Sequence, residues 1–223
     1  PPAVLYLATA STRAVRDAMR GGLLGQMTTP LSANRLEPGV PWALDNGCFS
    51  NRWNERTWRA TLERYAGTPD CLFAVVPDAV GDAAETDDLW RQWAPVVSGF
   101  GYRPAYVLQN GCQRVPCDAE AVFTGGDTEW KLGESARRLM QGAAARGLWC
   151  HMGRVNSLRR LRLAVQDGYD SVDGTFLAFG PDRNLPRLLT YLRLATEPRL
   201  FAGPVGTPAR PIGRSSPGGG LGQ

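Results

Sequence analysis

Three aspartates close or follow short apolar runs: Asp45 after Pro41-Trp42-Ala43-Leu44, Asp78 after Val75-Val76-Pro77, and Asp173 after Ser171-Val172. Amides stand at two run ends, Asn46 beside Asp45 and Gln109-Asn110 ahead of Gly111. Two further runs end in Gly125-Gly126 and in His151-Met152-Gly153-Arg154. Carboxylates that meet in space suit reactions at an anomeric carbon, where one attacks or stabilises an oxocarbenium-like centre while another handles a proton. A third carboxylate, side-chain amides and exposed glycine N–H groups suit reading the donor/acceptor edge of a heterocycle such as a purine. Composition removes other chemistries. Lys131 is the only lysine among 25 basic residues and His151 the only histidine, which excludes a multi-histidine metal site and leaves catalysis to carboxylates, amides, cysteine or backbone groups. Five cysteines, Cys48, Cys71, Cys112, Cys117 and Cys150, form no Cys-x-x-Cys pair and are odd in number. They argue against a disulfide scaffold or a structural zinc site. No metal and no organic cofactor is expected.

These residues need a frame that brings run ends together. Eight short apolar runs, at 4–8, 23–28, 40–45, 71–78, 104–109, 121–125, 148–153 and 169–173, read as buried parallel strands. Helical patterns at 12–20, 55–65, 83–97, 134–146, 157–166 and 184–194 lie between them, with start signals at Asn54 and Asn156-Ser157. The second and fifth strands are followed instead by irregular, proline-containing connections. At 223 residues, with 43% hydrophobic side chains, the chain has material for one large core. The alternation predicts an α/β fold, a compact (β/α)8 TIM barrel, over residues 1–200, with a doubly wound open sheet as the alternative. From Gly203 to Gln223 there are seven glycines and four prolines, so 201–223 reads as a disordered tail. In a barrel the C-terminal strand ends share one mouth, which places the polar residues above around a single site. The net charge of +4 leaves a polyanionic partner open without requiring one. No apolar run approaches the ~20 residues of a membrane span, and Pro1-Pro2-Ala3 begins no signal pattern, so the expected location is cytoplasmic.

In order along the chain, these motifs resemble the tRNA-guanine transglycosylase (queuine tRNA-ribosyltransferase) superfamily over most of residues 40–176. Asp45-Asn46-Gly47-Cys48-Phe49 is similar to that family's Asp-Ser-Gly-Gly-Tyr/Phe, Gln109-Asn110-Gly111 to Gln-Gly-Gly, and Gly125-Gly126 to Gly-Gly-Leu. His151-Met152-Gly153 resembles Leu-Met-Gly, and the segment from Gly168 to Asp173 resembles Gly-Val-Asp-Met-Phe-Asp. The resemblance implies that Asp173 is a nucleophile attacking C1′ of a guanine nucleotide and that Asp45 is a general acid/base. It implies that Asp78 accepts from the base N1–H and amine, that Gln109 and the Gly126 N–H bind its carbonyl edge, and that Phe49 and Met152 sandwich it. Asn46, Gly125 and Gly153 belong to the same expected base pocket.

Two departures shape the expectation. After Asp173 the sequence holds neither cysteine nor histidine, so the family's zinc module, which docks tRNA, is missing. After the double glycine, Asp127 and Glu129 replace small apolar residues, placing acid near the 7-substituent of the base if the resemblance holds. The zinc-free pattern looks most like the phage and bacterial branch that inserts 7-deazaguanines into DNA. That branch implies DNA and a free 7-deazaguanine, such as 7-cyano-7-deazaguanine, as partners, with helper proteins to open the duplex and no membrane. A transglycosylase acting on tRNA, a hydrolytic N-glycosidase and a non-catalytic nucleobase-binding module are the alternatives.

Other residues carry weaker signals. Lys131 and Arg154 are candidate phosphate contacts. Arg159, Arg160 and Arg162 fall off the Leu158, Leu161, Val165 stripe and are expected to face solvent. Trp53, Trp58, Trp90 and Trp93 read as packing between barrel and helices. Cys150 and His151 are adjacent in a strand, so they point to opposite faces and cannot form a catalytic pair.

Overall fold

A strand with both faces covered needs apolar side chains on both, and the eight predicted runs supply them. The computed structural model describes residues 4–32, 34–50 and 53–197; the predicted tail at 201–223 lies outside them. The strands are β1 (Leu5–Ala8), β2 (Gly25–Thr28), β3 (Trp42–Leu44), β4 (Cys71–Val75), β5 (Pro104–Leu108), β6 (Ala121–Thr124), β7 (Trp149–Met152) and β8 (Ser171–Asp173). Each pairs in parallel with its sequence neighbours, and β8 closes onto β1 with Tyr6 opposite Val172 and Leu7 opposite Asp173. Closure makes the chain a (β/α)8 TIM barrel and removes the open-sheet alternative.

The helices are α1 (Arg13–Arg20), α2 (Glu55–Tyr65), α3 (Ala83–Gly99), α4 (Thr128–Lys131), α5 (Glu134–Ala145), α6 (Leu158–Asp167) and α7 (Pro181–Thr196). Side-chain caps start several of them, satisfying N–H groups that the first turn leaves free. Asn54 accepts from the Thr57 N–H at 3.1 Å, and Ser157 from the Arg160 N–H at 3.3 Å. The connections after β2 and β5 contain no helix among the described residues, as expected. The single-turn α4 and a 3-10 turn at Cys48–Ser50 are additions that no helical period announces. No helix among the described residues is long and apolar enough to cross a membrane.

Side chains alternate across each strand and so build two separate apolar layers. Leu7, Met27, Ala43, Phe73, Val75, Ala105, Val107 and Ala121 fill the barrel interior. Tyr6, Trp42, Leu44, Tyr106, Leu108, Val122, Cys150, Met152 and Val172 face outward under the helices. Trp58, Trp90 and Trp93 are buried in that outer layer, with Trp53 packed edge-on to Trp93. One more inward step beyond the filled interior reaches Thr9, Thr29, Asp45, Gln109 and Gly125, which all line one cavity at the C-terminal mouth.

Candidate active site

The mouth holds a cavity of about 280 Å³, at the small end of the range for small-molecule sites. Apolar residues Leu7, Met27, Val75, Val107 and Phe123 form its floor. Asp45, Asn46, Phe49, Asp78, Gln109, Gly125, Gly126, Arg154 and Asp173 line it above that floor. Of the ten expected site residues other than Lys131 and Arg154, eight border this cavity, as does Arg154; Met152 and Gly153 do not.

The three carboxylates have different surroundings. Asp78 is clamped on both oxygens: Asn46 Nδ2 donates to Oδ1 at 2.7 Å and Gln109 Nε2 to Oδ2 at 2.6 Å. Those amides are themselves fixed, because Asn46 Oδ1 accepts from the Cys48 N–H at 2.8 Å and Gln109 Oε1 from the Gly81 N–H at 2.9 Å. Burial raises the Asp78 pKa, against the two amide bonds that lower it. Asp45 is pushed up to about 7, first by burial and then by the charge of Asp173, with its own link to the Gly47 N–H working the other way. Asp173 Oδ1 accepts from the Arg154 N–H at 2.7 Å. Arg154 reaches that position by adopting φ +59°, left-handed backbone that a side-chain-bearing residue rarely takes. Its guanidinium donates to the Gly126 carbonyl and lies 4.8 Å from the ring centre of exposed Phe49, forming the rim.

The glycines have steric reasons. A Cβ on Gly126 would lie 2.7 Å from Asn110 Oδ1, and its φ is +70°. A Cβ on Gly153 would lie 2.7 Å from the Phe123 ring and 3.6 Å from Asp173 Oδ1. Gly153 therefore lets the chain pass against Phe123 beside the carboxylate, although it does not itself border the cavity.

Several expectations are corrected. Met152 does not sandwich a ligand: it occupies an outward register position on β7 and is buried under the helices. Lys131 is 2% exposed and donates through Nζ to the Gly153 carbonyl at 2.6 Å, so it cannot meet a phosphate. Burial, then the charges of Arg154 and Arg160, bring its pKa down to about 8. Asp127 does not face the cavity; it caps α4 through the Trp130 N–H at 2.8 Å and accepts from Asn110 Nδ2 at 2.6 Å. Arg160 is half-buried and donates to the Arg154 carbonyl at 3.1 Å rather than facing solvent. Burial pushes the Cys48 and Cys150 thiols up to about 12, away from the thiolate form a nucleophile needs.

Sequence reading missed Thr9, Thr29, Val80, Phe123 and Thr175 as cavity residues. Thr9, Thr29 and Phe123 carried a usable signal, because counting by twos from Leu5, Met27 and Ala121 lands on them. Val80 and Thr175 lie on loops with no such period.

No protein-family profile and no curated protein sequence matches the chain. Among solved structures it is similar to "Structural study of Project ID from Aquifex aeolicus VF5", at 17% identity and a TM-score of 0.40, covering 70% of this chain and 62% of that one. The chain thus spans less than two thirds of that protein. It is also similar to "Native KDPGal structure", at 13% identity and a TM-score of 0.39, covering 86% of this chain and 95% of that one.

Proposed function

We propose that the chain is a base-exchange transglycosylase that replaces guanine in DNA with a 7-deazaguanine through a covalent glycosyl-Asp173 intermediate. The observation that carries this reading is the convergence of Asp45, Asp78 and Asp173 on one small cavity, each in a different electrostatic setting. Three carboxylates with three environments can take three roles.

With two lone-pair sites occupied by Asn46 and Gln109, Asp78 keeps further acceptor capacity for the N1–H and amine of guanine. In this scheme the second N–H of Gln109 Nε2 and the Gly126 N–H donate to the base carbonyl, and Phe49 covers a ring face. Asp173 uses Oδ1 to accept from Arg154, leaving Oδ2 to attack C1′. As the Oδ2–C1′ bond forms, the C1′–N9 bond breaks and its electron pair goes to the purine, which takes a proton from Asp45. In the return step ionised Asp45 removes the N9 proton of the entering 7-deazaguanine, N9 bonds to C1′, and Asp173 leaves as carboxylate. A carboxyl near pH 7 serves both steps. Arg154, at the rim, is the phosphate contact of this scheme. Bringing the nucleotide out of a duplex costs roughly a few kcal/mol, a task for helper proteins.

The test mixes protein, guanine-containing duplex and labelled 7-cyano-7-deazaguanine. Label enters DNA with the natural chain and not with Asp173→Ala. Abasic sites formed without added base would replace this reading with a hydrolase. Base binding unaltered by Asp173→Asn, with no guanine released over hours, would replace it with a binding module.

A further inference from the structure

His151 is fully buried, and its ring packs at 4.6 Å from the centre of Phe123 and 5.2 Å from that of Phe73. Nδ1 lies 2.8 Å from Ser171 Oγ. That oxygen already accepts from Trp149 Nε1 at 2.8 Å, and the Ser171 hydroxyl has no other acceptor among the described residues. Trp Nε1 can only donate, so the arrangement that pairs the serine proton gives it to Nδ1 and carries the ring proton on Nε2. Nε2 is buried without a hydrogen-bond partner and sits 3.9 Å from Asp173 Oδ1. A buried donor left unpaired costs free energy, and here the nearest carboxylate lies a small adjustment beyond bonding distance.

We infer that His151 is a positioning residue for Asp173, directing Nε2–H at the carboxylate oxygen that does not attack. This rests on the reading of Asp173 as the nucleophile. Oδ1, held by the Arg154 N–H on one side and facing His151 on the other, becomes the ester carbonyl oxygen when Oδ2 bonds to C1′. When the entering base expels the carboxylate, charge returns to Oδ1, and the imidazole N–H stabilises it there. The phenyl rings and the Ser171–Trp149 chain fix the ring plane, so the donor is in place before the reaction. Other groups facing Asp173 are Asp45, Tyr6, Lys131 and Arg154; those facing His151 are Ser171, Phe73, Phe123 and Asp173. Neither Phe can share the ring proton as a conventional acceptor, which leaves Asp173 as its target.

The test compares His151→Leu, His151→Gln and Ser171→Ala in the exchange assay, with thermal unfolding as the folding control. His151→Leu lowers kcat by roughly tenfold or more with KM for DNA little changed. His151→Gln, which keeps an N–H, restores part of kcat, and Ser171→Ala lowers kcat in the same way by less. A folded His151→Leu with wild-type kcat, alongside an inactive Asp173→Ala, overturns the inference alone. If His151→Leu does not fold, wild-type kcat in a folded Ser171→Ala overturns it. Exchange surviving in Asp173→Ala overturns the underlying reading instead.

Discussion

Asp45 carries the clearest dependence on pH. Its folded pKa, about 7, lies above its ordinary 3.8, so between those values the native state binds more protons than the unfolded one. Its contribution to stability therefore falls as pH rises through that window and is fully unfavourable above about 7. Asp45→Asn should narrow the gap between melting temperatures at pH 5 and pH 8, and it should cost roughly 10²–10⁴-fold in exchange rate by removing the proton carrier. Thermal scans at the two pH values and the labelled-base assay check both. Lys131 makes the opposite case. Lys131→Met leaves the Gly153 carbonyl without its 2.6 Å donor and should destabilise by about 1–3 kcal/mol, measured by denaturant unfolding. At this scale the carboxylates and Gln109 were legible because strand ends in a barrel share a mouth, and Phe49 only through the family resemblance. Met152 was not, because it stands one register step from an inward position. The burial of Lys131 was hidden because α4, which carries it inward, is a single turn with no period to detect.

The elements hold the site by close approach as much as by hydrogen bonds. A Cβ on Gly25 would lie 2.5 Å from Leu7 Cδ2 and 2.8 Å from the Pro41 carbonyl oxygen, so β2 fits between its neighbours only as glycine. Gly25→Ala should destabilise by ~1–3 kcal/mol through overpacking, read from denaturant midpoints. Ser157→Ala removes the cap of α6 and should cost about 0.5–2 kcal/mol, with a smaller loss of activity because α6 also carries Arg160 to the Arg154 carbonyl. All eight strands were visible in sequence, since an apolar run bounded by Gly, Pro or Asp has few other uses. Helix starts at Asn54 and Ser157 were visible through their caps. The brace from Arg160 was not, because a helical stripe gives the side a residue faces and not where a long side chain folds back.

The whole molecule combines a filled barrel interior with one polar mouth, and its only proposed contact with the nucleic-acid backbone is at the rim. Arg154→Ala should weaken DNA binding across sequences and reduce the salt slope of log K by about one, whereas Lys131→Met should leave that slope unchanged. Fluorescence titrations at several salt concentrations separate the two. The proposed exchange requires a covalent bond at Asp173. Intact-protein mass spectrometry after incubation with a guanine-containing oligonucleotide, without added base, tests it directly. The expected result is a mass increase equal to the oligonucleotide less guanine, mapped to Asp173, absent in Asp173→Ala and lost when 7-deazaguanine is added. Release of guanine with no adduct on the natural chain, or an adduct that persists in Asp173→Ala, would contradict it.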